Sequence, residues 1–465
     1  MPDRTHPAPA RLHARLALLP SGWARDVVVE VDRDGGIASV TAGAAQDRAE
    51  DVGGPLVPAM PNVHSHAFQR GVAGRTGHAG ASGEDSFWTW RHAMYAFLER
   101  LDPDGFEAIA AQVYVEMAKA GYGAVAEFHY VHHDPAGRRY ADVAEMSKRV
   151  LSAAHRVGLP MTLLPVFYAH GGFNGAPPSA AQRRFVTDAD AFARLVEAIA
   201  PNARANGAVL GIAPHSLRAV TPEELERVVA ASPAMQPVHI HIAEQTREVE
   251  ECVAWSGKRP VEWLLARCDV DSRWCLVHAT HMAEREIHAL AASGASAGIA
   301  PTTEADLGDG TFPGVAFSGA GGRWGVGSDS NAIVDPFAEL RQLEYSQRLF
   351  WRRRNLMHQG SDAPVGTAMW LAAAAGGAQA CGRRTGAIRA GAAADLVVLD
   401  GDEPALAGHA GDTLLDAAIF GPCRKPVRHS MLGGRWVVRD GHHPDEEAVL
   451  SAFRRTIARV VDGAA

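Results

Sequence analysis

The 465-residue chain has no lysine- or arginine-rich run, and its formal net charge is −8. Without a positive stripe to neutralise phosphates, neither nucleic acid nor an anionic membrane is expected as a partner. Long apolar runs are missing as well. The stretch Leu16-Ala17-Leu18-Leu19 near the start is too short for a signal segment or a membrane span. The five cysteines, Cys252, Cys268, Cys275, Cys381 and Cys423, are odd in number and scattered, with no C-x-x-C among them. That usage excludes a disulfide framework and points to free thiols in a reducing compartment, so a cytoplasmic protein is expected. Internal repeats and low-complexity tracts are absent beyond a general richness in Ala and Gly. What remains is an ordinary globular composition, 47% hydrophobic and 21% charged, long enough for two domains.

The chain changes texture twice. Up to about residue 57 it carries short strand-like pieces, such as Asp26 to Val31 before the turn Asp34-Gly35-Gly36. From 58 to 385, β-branched apolar runs alternate with Ala/Glu/Arg/Leu stretches of helical spacing. The runs are Pro55 to Met60 leading into His64, Gly123 to Tyr130, Met161 to Tyr168, Val209 to Pro214, Val238 to Glu244, Trp274 to His278, Ala295 to Ala300 and Trp324 to Asp329. Eight strand-then-helix units spell a (β/α)8 barrel. Thr221-Pro222-Glu223-Glu224 marks one helix start, with an N-cap, Pro at the first position and acids in the first turn. After 386 strand texture returns in Asp395 to Asp400 and Gly434 to Val438. The segments 1–57 and 386–465 are therefore expected to form one small β-sandwich domain flanking a barrel of residues 58–385.

In such barrels chemistry sits at the C-terminal strand ends. The first strand ends in His64-Ser65-His66, and in extended chain two residues with this spacing face the same way. The fifth ends in His241-Ile242-Ala243-Glu244, the sixth in His278-Ala279-Thr280-His281, and the eighth in Gly327-Ser328-Asp329-Ser330-Asn331. Neutral imidazoles with a carboxylate suit a divalent ion, for which zinc is the first expectation. His239 shares a face with His241 but lies one pleat deeper, and reads as a supporting residue. His281 remains an alternative to His278.

These motifs resemble the amidohydrolase superfamily, in its deaminase and chlorohydrolase branch, and the segment Gly386 to Asp400 resembles the stretch where such chains re-enter their β domain. The resemblance implies His64, His66, His241 and Asp329 as metal ligands, and Glu244 with His278 as the proton-transfer pair, assisted by Asp329. The fourth strand reads Gly211-Ile212-Ala213-Pro214-His215 without the lysine that bridges two metals in other members, so a single ion is implied. Hydroxide formed on that ion would attack a C=N carbon, and Glu244 would protonate the departing nitrogen.

Specificity must come from elsewhere. Phe87-Trp88-Thr89-Trp90-Arg91-His92-Ala93-Met94-Tyr95 is an aromatic, basic insertion, and Arg91 and Arg218 suggest carboxylate contacts. Together with Asn62 to Arg70 and Ala126-Glu127-Phe128-His129-Tyr130, this insertion is similar to the formimidoylglutamate deiminases, a family within that superfamily. That likeness implies Gln69, Arg91, Tyr130, His215 and Arg218 as substrate-binding residues. It also implies N-formimino-L-glutamate, a small dicarboxylate of histidine degradation, as substrate, and a homodimer as the assembly. A deaminase of guanine or another aromatic base is the alternative within the class, and a non-catalytic scaffold the alternative outside it.

Overall fold

A computed structural model of the chain describes residues 10–77, 85–231, 237–358, 360 and 362–462. The extreme ends, 1–9 and 463–465, which the sequence assigns to the small β domain, lie outside the described residues.

The N-terminal segment supplies β1 (Ala10–Leu19), β2 (Gly22–Val31), β3 (Ile37–Thr41), β4 (Glu50–Asp51) and β5 (Leu56–Pro58). Strands β1, β2 and β3 form an antiparallel meander. At the Asp32 to Gly36 turn, the Asp32 carboxylate accepts the amides of Asp34 and Gly36, an Asx-type closure.

Next come the parallel strands β6 (Met60–Ser65), β7 (Tyr122–His129), β8 (Met161–Phe167), β9 (Val209–Leu210), β10 (Ala213–Pro214), β11 (Val238–Ile242), β12 (Trp274–His278), β13 (Ser296–Ile299) and β14 (Arg323–Val326). The fourth barrel strand, which the sequence gives as one piece, is split into β9 and β10, and both pieces pair with β8. The break falls at Gly211, where a Cβ would lie 2.6 Å from the Pro237 carbonyl oxygen and from Leu164. Close approach of two backbones interrupts the ladder there. Strands β6 to β10 and β11 to β14 form two parallel half-sheets. Parallel bridges Ile212–Val238 and Ser65–Asp329 join them at both seams and close the barrel. All eight units carry at least one helix. The helix Pro222–Ala231 starts as its sequence signals: the Glu224 amide donates to Thr221 Oγ1 and the Thr221 amide to Glu224, a reciprocal capping pair.

Strands β15 (Leu396–Leu399), β16 (Val427–Leu432) and β17 (Arg435–Val438) then complete the outer sheet, in the order β17-β16-β15-β5-β1-β2-β3 with β4 beside β1. A bridge from Gly36 to Ala393 brings the β3 edge back to the chain entering β15. Leu12, Val29 and Ile37 from one chain end thus share a buried core with Leu396, Val398 and Met431 from the other. The two ends of the chain make one β-sandwich layer. The last helix, Glu446–Asp462, does not extend that sheet. It packs on the barrel helix Pro103–Ala120, where Lys119 pairs with Glu446, and Arg459 pairs with Asp102 just ahead of that helix.

The bottom of the barrel is plugged by the helix Val365–Ala380. Its Gly376 lies so close to β14 that a Cβ would meet the Trp324 carbonyl oxygen at 2.0 Å. His239 Nε2 donates to the Ala380 carbonyl at 2.8 Å, and Thr162 donates to Cys381 O at 2.7 Å. His239 therefore ties the barrel floor to this plug, away from the other histidines.

Candidate active site

The opposite, C-terminal rim gathers the histidines. His64 and His66 close β6, His241 lies in β11, His278 ends β12, and Asp329 follows β14. Backbone pairing fixes the seam between the first and last strands. The Asp329 amide donates to His64 O and the His66 amide to Asp329 O, each at 2.9 Å. Below it, Asn62 Nδ2 donates to Ser328 Oγ at 2.7 Å, and Ser328 donates to Asn331 at 2.6 Å.

His64 Nε2 lies 3.1 Å from both His66 Nε2 and His241 Nε2, and Asp329 Oδ1 lies 3.4 Å from His64 and from His66. His66 Nδ1 donates to the Phe128 carbonyl, and His241 Nδ1 to the His215 carbonyl, both at 3.0 Å. Those bonds place the ring proton on Nδ1 and leave Nε2 with a lone pair. His64 Nε2 faces both of these lone pairs at 3.1 Å, and a cation between the three rings would satisfy them all. A tetrahedron of nitrogen and oxygen ligands about zinc has edges of roughly 3.3 Å, matching the spacing seen. The donor set thus fits a divalent ion. Burial keeps the imidazoles neutral and ligand-ready. It holds His64 down to about 3 against the opposing pull of Asp329, and it lowers His66 and, well below the usual range, His241.

Beside this cluster sit the two groups expected to move protons. His278 Nε2 is 3.6 Å from Glu244 Oε1 and 3.9 Å from Asp329 Oδ2, and it also falls within ligand reach of His64 and His241. Burial opposes a charge on His278, but the carboxylates of Glu244, Glu304 and Asp329 outweigh it and push the imidazole up to about 10. Burial raises the Glu244 carboxyl in turn, against the pull of His278 and Arg218. Asp329, although buried, is held below the carboxylate range by its contact with His64.

Above the cluster opens a cavity whose lining includes Gln69, Arg91, Tyr130, His215 and Arg218 beside His66, His241, Glu244, His278 and Asp329. The sequence-derived substrate residues therefore converge on one space. Gln69 Nε2 donates to the Tyr130 hydroxyl at 2.9 Å, and Gln69 Oε1 is buried without a partner among the described residues. Arg91 comes from α1 (Phe87–Leu98), a helix capped by Ser86 and laid across the mouth. Its guanidinium donates to the hydroxyl of Tyr95 and, at 3.4 Å, to that of Tyr168. Arg218 lies 3.8 Å from Glu244 and 3.7 Å from Glu248, too far for direct hydrogen bonds, and its buried Nε has no partner among the described residues. The Trp88 ring has Arg91, Arg218 and Arg247 at 5.7, 5.9 and 4.7 Å from its centroid, so the aromatic insertion also braces guanidiniums.

Sequence reasoning missed several wall residues. Tyr168 ends the third strand and meets both Arg91 and the His215 ring, whose centroid is 4.6 Å away. Its place at a strand end was the available signal. Phe185 also lines the cavity with no periodicity to mark it, and Met94 and Tyr95, which lie within the aromatic insertion, line it without having been assigned a role. His281 donates from Nε2 to Asp309 O at 2.8 Å and is committed to that loop.

The comparisons with known proteins agree with this geometry. Residues 56–437 match the model of the amidohydrolase family, and residues 10–54 match that described as formimidoylglutamate deiminase HutF, N-terminal domain. A formimidoylglutamate deiminase from Pseudomonas aeruginosa is 50% identical over 97% of this chain and 99% of its own. A 5-methylthioadenosine/S-adenosylhomocysteine deaminase from Halobacterium salinarum is 32% identical over 92% of each chain. Among solved structures, an amidohydrolase from Brucella melitensis superposes with a TM-score of 0.93 at 46% identity, over 97% of this chain and 100% of that one. With its barrel closed around a histidine and aspartate cluster and its outer sheet built from both ends, the chain belongs to the amidohydrolase family.

Proposed function

We infer that the protein is a hydrolase that deiminates N-formimino-L-glutamate, giving N-formyl-L-glutamate and ammonia. The observation that carries this reading is the cavity itself, whose metal-type floor lies beneath two guanidiniums, Arg91 and Arg218. The near full-length likeness to a formimidoylglutamate deiminase supports the same substrate. Water adds across the C=N bond, the carbon keeps the oxygen, and the imino nitrogen leaves as ammonia.

We assign His64, His66, His241 and Asp329 to a single divalent ion, with zinc as first choice because three imidazoles and a carboxylate suit it. When bound, that ion supplies Lewis acidity to a water in the cavity. Asp329 and His278 would take the proton that the attacking water loses, His278 once the cation beside it offsets the carboxylates that hold the ring charged. Glu244, raised by burial and 3.6 Å from His278, can deliver a proton to the nitrogen that departs. Arg91 and Arg218 would take the two carboxylates, and Gln69, Tyr130 and His215 would orient the chain between them. A flat purine has less use for two guanidiniums, which weighs against an aromatic-base deaminase.

The same reading carries a cytoplasmic location, which the five free cysteines support, and a homodimer, testable by light scattering. It also carries a division of the chain into a barrel, 58–385, and a β domain of 1–57 and 386–465. No helix among the described residues is long and apolar enough to cross a membrane.

Ammonia release by zinc-loaded protein tests the reading, with N-formimino-L-glutamate, guanine and cytosine offered in parallel. Fast release from the first alone is expected. Release only from a base would keep the metal chemistry and overturn the substrate.

A further inference from the structure

Two residues at the reacting end of the site stand in left-handed backbone without being glycine: His278, with φ +67°, and Asp329, with φ +43°. Such conformations cost free energy and persist only where the surroundings over-determine them. His278 and the residues flanking Asp329 are met by one short helix, Pro301–Leu307, which follows β13 and has no part in the sequence-derived site.

Glu304 Oε1 lies 3.2 Å from His278 Nδ1. Glu304 is buried, and among the described residues its only ion-pair partner is His278. The same oxygen accepts the Ala300 amide at 3.0 Å, and the Glu304 carbonyl accepts the Asp309 amide at 2.9 Å, so the carboxylate is itself pinned. One residue earlier, Thr303 Oγ1 lies 3.0 Å from Ser330 Oγ, accepts the Ser330 amide at 3.3 Å and donates to Ser328 O at 3.3 Å. Thr303 thus holds the residues on either side of Asp329. A carboxylate at Nδ1 holds the proton there and turns Nε2 toward the cavity, where Glu244 and Asp329 wait.

We propose that Glu304 is the positioning residue of His278, and that with Thr303 it makes the helix Pro301–Leu307 the brace of the proton-transfer groups. This rests on the roles given above to His278 and Asp329. Glu304 touches no substrate. It acts by keeping His278 Nε2 aimed at the reacting atoms, as the third member of an acid–histidine pair does.

Three variants test it: Glu304→Ala, Glu304→Gln and Thr303→Val. Glu304→Ala should lower kcat about a hundredfold, with KM within about threefold and metal content unchanged. Glu304→Gln keeps an acceptor oxygen opposite Nδ1–H and should recover at least about tenfold of that loss. Thr303→Val should lower kcat by a smaller factor. Nitrogen-15 NMR of histidine-labelled protein should report a hydrogen-bonded Nδ1–H on His278 in wild type and in the Gln variant, and loss of that hydrogen bond in the Ala variant. This readout needs no turnover, so it stands even if N-formimino-L-glutamate is not the substrate, a failure that the ammonia assay reports separately. Overturning results are a kcat for Glu304→Ala within about threefold of wild type, a loss explained by missing metal or a raised KM, or a Gln variant no better than Ala.

Discussion

The floor and the wall of the cavity are built by different means. On the floor, His64, His66, His241 and Asp329 are placed by strand pairing and by ring nitrogens donating to backbone carbonyls. On the wall, Arg91 and Arg218 are placed by side chains, namely the hydroxyls of Tyr95 and Tyr168, the carboxylates of Glu244 and Glu248, and the indole of Trp88. A floor tied to the backbone cannot drift without the barrel opening, whereas a wall built on loops and one helix can be exchanged for another. On the roles proposed above, reaction type belongs to the floor and substrate choice to the wall.

The most damaging break in this contrast is Asp329→Ala. It should reduce activity by at least about a thousandfold with the far-UV spectrum retained, and full activity would remove the metal-site assignment. Chelation is the reversible version. Dialysis against a strong chelator should abolish ammonia release and lower Tm, and one equivalent of zinc should restore both. A chelated protein of unchanged activity would contradict the floor's role.

The wall should fail differently. Arg218→Met should raise KM for a dicarboxylate by roughly 30- to 100-fold, the worth of one charge-assisted hydrogen bond pair, and should hardly touch turnover of an uncharged formamidine. Equal effects on both substrates would show that Arg218 does not read a carboxylate.

The smallest effect concerns the barrel floor away from chemistry. Burial holds His239 down to about 4, whereas the unfolded chain titrates near 6.5. The unfolded state therefore binds a proton that the native state refuses between those values. The neutral native form is favoured above about pH 6.5, and that contribution is lost as pH falls towards 4. Wild type should lose more stability over this window than His239→Gln, which still donates to Ala380. Parallel losses would mean that His239 is not held neutral by burial.

The floor was legible from sequence because its residues terminate strands, and strand ends announce themselves by apolar runs that stop. His64, His241 and His278 could be counted off such runs, and the outer sheet followed from strand texture at both chain ends. The wall was half legible: the arginines stood out by charge and Tyr95 lies one helical turn from Arg91 in α1, but Tyr168, just past β8, is 77 residues away. Glu304 was invisible for the same reason, since 26 residues separate it from His278. Helix Glu446–Asp462 on the barrel flank was likewise unreadable, because its partners Asp102 and Lys119 lie at the far end of the chain.

The division between floor and wall is tested most directly by a crystal structure of the zinc-loaded protein with N-formyl-L-glutamate. The account predicts a metal among His64, His66, His241 and Asp329, the formyl group facing it, and the two carboxylates at about 2.8 Å from the guanidiniums of Arg91 and Arg218. Carboxylates bound away from both arginines, or seated on the metal in place of the formyl group, would contradict it.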